Sequence, residues 1–181
     1  YNSSTQSNVI YGLFTYDRVA DKIIGTLDAS KFGGAFPDHI SISASGKYAV
    51  PSWAYNKTLG TRAYSLDFST YTQLHTQSEH SDLAFGPNGE DYYVVTDYDS
   101  GYIRAVDMAT GSSFNLMSLY PATGVSYSAH ISGKAFGRPG WVVIGTYADY
   151  GNYGSSSPDP DLKPMERKIM LVELKPGGRQ Y

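Results

Sequence analysis

His80-Ser81-Asp82-Leu83-Ala84-Phe85-Gly86-Pro87-Asn88-Gly89, followed by Tyr92-Tyr93-Val94-Val95 and closing at Ile103-Arg104-Ala105-Val106-Asp107, reads as one strand, a glycine turn, a second strand and a third that ends on an acid. The same order occurs twice more. An earlier copy runs His39-Ile40-Ser41-Ile42-Ser43-Ala44-Ser45-Gly46-Lys47-Tyr48-Ala49-Val50 and closes at Tyr64-Ser65-Leu66-Asp67. A later one runs His130-Ile131-Ser132-Gly133-Lys134-Ala135-Phe136-Gly137-Arg138-Pro139-Gly140-Trp141-Val142-Val143-Ile144 and closes, after an insertion, at Ile169-Met170-Leu171-Val172-Glu173. The leading histidines are 41 and then 50 residues apart. Units of this length with several strands each mark radially repeated blades, because one four-stranded sheet cannot bury both of its faces alone. The expected fold is therefore an all-β β-propeller of four-stranded antiparallel blades, labelled a to d from the axis outward.

Composition agrees. Seventeen tyrosines, nineteen glycines and nine prolines suit pleated strands and tight turns. No stretch repeats apolar residues at helical spacing for three turns, and none approaches the roughly 18 apolar residues of a membrane helix. With a net charge of −3 and no basic cluster, the chain has no electrostatic footprint for a nucleic-acid backbone. Nucleic acid and membrane are therefore not expected partners. The absence of cysteine excludes disulfides, thiolate catalysis and cysteine metal sites. Aromatic and Ser/Thr richness, with acceptor patterns at Asn2-Ser3-Ser4 and Asn56-Lys57-Thr58, leads to the expectation of an exported protein, extracellular or periplasmic. The polar opening Tyr1-Asn2-Ser3-Ser4-Thr5-Gln6-Ser7-Asn8 is that of a processed or excised segment, and no signal peptide is visible.

Counting strands gives about three and a half blades in a single domain or segment. Residues 1–36 form a partial blade, with Val9 to Asp17 and Lys22 to Asp28 as its strands c and d. Residues 37–77 and 78–127 form two blades, and 128–181 a third with a long insertion at 147–167. Either the ring closes with four blades, or the chain is part of a larger ring of seven or eight; the larger ring is expected, since propellers typically have about four to eight blades and no closing strand is apparent. An open segment exposes apolar faces at its ends and calls for the remaining half of the propeller or another chain as partner.

The turn Phe85-Gly86-Pro87-Asn88-Gly89 resembles the blade turn of TolB-like and WD-like propeller repeats, a likeness that covers Pro37 to Glu173. A narrower likeness is to propeller polysaccharide lyases such as oligogalacturonate lyase and the ulvan lyases. That resemblance implies histidines from several blades at a central mouth, holding a metal or acting on a uronate with help from an arginine and a tyrosine. This chain carries the residue types and blade positions, without a diagnostic lyase string.

His39, His80 and His130 start three inner strands, so blade geometry brings them toward one mouth. There they either ligate a divalent metal or shuttle a proton, or else each makes a structural hydrogen bond that belongs to the repeat. His75 falls outside the pattern and reads as a surface strand residue. Arg138, in the a–b turn of the third repeat, either forks onto a carboxylate or stacks on Trp141. Arg62 and Arg104 read as blade-packing charges. Thr96-Asp97-Tyr98-Asp99-Ser100-Gly101 presents three oxygen-bearing side chains in alternation but lacks the glycine spacing of a calcium loop, so a solvated turn is expected. Glu79 and Asp82 flank His80, where they can orient its ring. The b–c insertion of the last repeat, with Tyr147, Tyr150 and Tyr153, has the Tyr/Gly/Asn/Ser composition of a recognition loop or of a flexible rim. Trp53, Tyr55 and Tyr98 sit at comparable places in the other blades.

The expected function is an exported propeller that binds an acidic polysaccharide or oligosaccharide and, as its enzymatic option, cleaves it by β-elimination. His80, His130, Arg138 and Tyr147 would be the catalytic residues. Trp53, Tyr55, Tyr98, Tyr150 and Tyr153 would contact substrate. His39, His80 and His130 would hold one divalent metal ion if there is a cofactor; no nucleotide or haem is expected. The alternative is a non-enzymatic protein-interaction scaffold with structural blade histidines. A redox or lactone-hydrolysing propeller ranks third, because no cofactor motif is present.

Overall fold

The computed structural model of the chain describes residues 12–32, 37, 39–52, 60–75, 81–97, 100–118, 128–130, 138–147 and 168–178. Strands β1 (Gly12–Asp17) and β2 (Lys22–Asp28) pair as a two-stranded sheet, followed by a short 3-10 turn, Ala29–Phe32. A four-stranded sheet follows, from β3 (His39–Ile42), β4 (Tyr48–Ser52), β5 (Thr61–Ser65) and β6 (Tyr71–His75). The next contains β7 (Ser81–Phe85), β8 (Asp91–Asp97), β9 (Tyr102–Asp107) and β10 (Ser113–Ser118). The last has β11 (Ser128–His130), β12 (Trp141–Tyr147) and β13 (Lys168–Glu173). Every pairing is antiparallel and joins strands adjacent in sequence. The described residues form an all-β structure, and its two antiparallel four-stranded meanders are consistent with propeller blades. We call the four sheets the first to the fourth. Val9, Ile10 and Tyr11, read above as the start of β1, lie outside the described residues.

Period-two alternation assigns the two faces of each central strand to different neighbours. In β8, Tyr93 and Val95 pack toward the second sheet with Leu83, Val106 and Met108, meeting Val50, Ala63 and Leu74. Val94 points the other way and joins Ala84, Ile103, Ala105 and Leu116 against Val142, Ile144, Val172 and Leu174 of the fourth sheet. A strand packed on both faces must be apolar throughout, which explains the run Tyr92-Tyr93-Val94-Val95.

The c–d turns of the first and third sheets share one device. Asp17 accepts from the amides of Val19 and Ala20 at 2.8 and 2.9 Å, and Asp107 accepts from those of Ala109 and Thr110, both at 2.8 Å. Every c–d turn contains a left-handed residue: Asp21 (φ 52°), Phe68 (57°), Gly111 (74°) and Gly177 (61°). The turns of the third and fourth sheets also reach back to the outer strand of the preceding sheet. The Gly177 amide donates to the Asn115 carbonyl at 2.9 Å, and a Cβ on Gly111 would come within 3.3 Å of the Gln73 carbonyl. In the same relation, Gly25 of β2 lies so close to Leu66 that a Cβ there would sit 2.4 Å from its carbonyl oxygen.

A polar clasp joins the second and third sheets at their a–b ends. Buried Asp91 accepts from the Ser43 hydroxyl at 3.1 Å, the Ser45 amide at 3.0 Å and the Ser45 hydroxyl. Its three donors satisfy a carboxylate that burial would otherwise make costly.

Candidate functional site

Strand register decides which candidate residues share an end of the blades. Three equivalent pairs mark the a–b end of strand b: Tyr48 opposite Ser65, Tyr92 opposite Asp107, and Trp141 opposite Glu173. Four residues further along strand b come Ser52, Thr96 and Gly145. His39 pairs with Ser52 and His130 with Gly145, so these two histidines occupy the same register position in different blades. One step beyond the Ser81–Val95 pair is residue 80; His80 itself lies outside the described residues. The hairpins differ in length, so register, not counting from the glycine turn, reveals the equivalence. Tyr147, opposite Ser128, ends its strand at the same b–c end.

Arg138 is elsewhere. It precedes Trp141 in the a–b turn, and four residues of strand, roughly 13 Å at about 3.3 Å per residue, separate Trp141 from Gly145. Its guanidinium lies 4.6 Å from the centre of the Trp141 ring, on the exposed side of the turn. The structure therefore does not bring Arg138 together with His130 and Tyr147. Trp53, Tyr55, Tyr98, Tyr150 and Tyr153, with most of the long insertion, lie outside the described residues. Among the described residues no three metal-ligating side chains converge. For His39 and His130 the backbone register carries the placement.

The b–c end holds a polar cluster that the sequence did not reveal. Thr96 and Asp97 are buried residues of β8, not part of a solvated turn. The Asp97 carboxylate, its side chain 6% exposed, accepts from Arg104 Nη1 at 3.0 Å and lies 3.4 Å from His75 Nε2 across the seam between sheets. The Ser100 amide donates to it at 3.1 Å, and the Gly101 amide to the Asp97 carbonyl at 2.9 Å. Burial alone would raise the Asp97 pKa. The Ser100 and Arg104 hydrogen bonds, the Ser100 amide and the nearby His75 outweigh it and hold the carboxyl at about 2. An acid so firmly ionised is no proton donor near neutral pH. It anchors the b–c turn, and any acid–base work at this end falls to the histidines or Tyr147.

His75 thus corrects its surface reading: its side chain is only 11% exposed and faces Asp97. A histidine ending an outer strand gives no signal in sequence that the next blade supplies its partner 22 residues later. Arg62 matches its packing role, lying 4.7 Å from the Tyr71 ring centre and donating from Nε to Gln73 at 3.1 Å. Beneath this end the Thr61 and Tyr93 hydroxyls meet at 3.2 Å, fully buried.

No family model matches the chain, and no curated protein matches it. Among solved structures, hydrazine synthase from Kuenenia stuttgartiensis superposes with a TM-score of 0.51 at 12% identity, over 94% of this chain. This chain spans about half of that one, 47% of its length. Identity at this level speaks for the fold alone.

Proposed function

We propose that the b–c end of the blades is a binding face for an acidic polysaccharide, with β-elimination as the reaction its residues fit. The observation that carries this reading is the shared register of His39 and His130, which sets two imidazole-bearing positions at the same end of the inner strands of the second and fourth sheets. In sequence, the b–c segments carry Tyr55, Tyr98, Tyr150 and Tyr153, which suit sugar rings because a tyrosine ring offers a flat amphipathic face. In the elimination, His130 or Tyr147 takes the proton alpha to the uronate carboxylate, the glycosidic C–O bond breaks, and a ring double bond forms. The departing sugar oxygen takes up a proton. Since Arg138 lies at the other end, carboxylate neutralisation would fall to a divalent metal held by His39, His80 and His130, and with His130 as a ligand Tyr147 would be the base. Such a polymer places the protein outside the cell or in the periplasm.

One observation favours the scaffold alternative: His75 and Arg104, both at this end, are already engaged by Asp97. Calorimetric titration with polygalacturonate, with and without added divalent cation, separates the two readings. The double variant His39→Ala/His130→Ala should weaken binding by about tenfold or more, a loss of about 1.4 kcal/mol. Absorbance of unsaturated uronate should rise with the wild-type chain alone. Absence of polyuronate binding, or binding that the double variant leaves intact, would overturn the proposal in favour of the scaffold.

A further inference from the structure

The first sheet is half a blade. β1 and β2 carry the c–d signature: the Asp17 turn matches the Asp107 turn amide for amide, and β2 meets the Leu66 turn as β6 and β10 meet the turns that follow them. In the second and third sheets the inner edge of strand c is taken by strand b. Among the described residues, the corresponding edge of β1 pairs with nothing.

The face that strands a and b of this half-blade would cover is open. Ile40 opposite Pro51 and Ile42 opposite Ala49 share one face of the second sheet. They look onto a groove of about 490 Å³ completed by Phe14, Tyr16 and Phe68. Ile42 is 51% exposed, Ile40 53% and Phe14 65%. One seam further along, Leu83 has the register position of Ile42 and is 6% exposed, because the second sheet covers it. Thr15 fastens β1 to the second sheet, its hydroxyl donating to the Leu66 carbonyl.

We infer that β1 and this groove form a strand-addition site for a two-stranded polypeptide hairpin with apolar side chains at alternate positions. The hairpin pairs with β1 through main-chain hydrogen bonds and lays its apolar face on Ile40 and Ile42, continuing the series of seams already present between the second, third and fourth sheets. It is supplied by polypeptide outside these 181 residues. None of the sequence between or beyond the described strands alternates apolar residues over two strands: residues 1–8 are polar, and 148–167 are rich in Gly, Ser, Pro and Asp.

The test uses a synthetic peptide of residues 81–97, the chain's own a–b hairpin, titrated into the 181-residue protein. Saturable binding is expected, with hydrogen exchange of the β1 amides slowed by about tenfold or more. Ile42→Lys should weaken that binding by about tenfold or more and leave the circular dichroism spectrum unchanged, whereas Ile169→Lys, at a still more exposed site on β13, should leave it intact. Binding indifferent to Ile42→Lys, or none at all, would overturn the inference. Sedimentation showing a dimer that Ile42→Lys dissolves would assign the groove to a second copy of the chain and overturn it as well.

Discussion

Leu83 and Ile42 occupy the same place in two blades and meet opposite fates. Leu83, in the seam between the second and third sheets, is buried among Tyr93, Val95, Val106 and Met108; Ile42, in the groove beside the first sheet, is half exposed. The strands that carry them are similar in pattern, so the difference lies in the neighbour. A full blade covers the inner half of the next one, and two strands cover only the outer half. Fully burying an aliphatic side chain contributes about 1.5–3 kcal/mol, so Ile40 and Ile42 each leave roughly 1 kcal/mol unrealised. A propeller face is stabilised by what stands next to it.

The sharpest way to break this comparison is to truncate both residues. Leu83→Ala should cost about 2–5 kcal/mol in urea unfolding, the usual range for a buried aliphatic, while Ile42→Ala should cost under about 1 kcal/mol. Equal losses would mean that the groove is closed in solution. With the 81–97 peptide bound, the cost of Ile42→Ala should rise toward that of Leu83→Ala.

The polar part of the closed seam makes a smaller, pH-dependent contribution. Folded Asp97 titrates at about 2, whereas an unfolded aspartate titrates near about 3.9. The depressed value means that its contribution, on the order of 2 kcal/mol, is fully present above about pH 4 and lost as pH falls toward 2. Asp97→Asn should accordingly destabilise the chain by about 2 kcal/mol at pH 7, and its stability should converge with wild type near pH 2. A constant gap across that range in unfolding titrations would contradict the assignment. Smallest of all, Arg138→Ala removes an exposed cation–π contact and should change stability by no more than about 1 kcal/mol, with less than about a twofold effect on polyuronate binding. A larger loss of binding would return Arg138 to the site.

Much of this was legible beforehand, and the failures are specific. The repeat of His39, His80 and His130, the glycine turns and the apolar runs led directly to sequential antiparallel sheets, because alternation and turn chemistry are local. The separation of Arg138 from His130 was also within reach: in an antiparallel meander the a–b turn and the b–c loop lie at opposite ends of strand b, and the order of the residues alone implies it. The clasp of Asp91 on Ser43 and Ser45, and that of Asp97 on His75, were not within reach. Each joins residues from different blades, and no local pattern records which side chains face each other across a seam.

What the sequence determined by itself is therefore the blade: the order of its strands, their face alternation and the glycine turns between them, all set by hydrogen bonding and sterics within some 40 to 50 residues. What only the tertiary structure decided is the seam. Whether Ile42 is buried, whether Asp97 is ionised at low pH and whether His75 is a surface residue depend on burial and charge contributed by the adjacent sheet, and these exist only once the blades have packed.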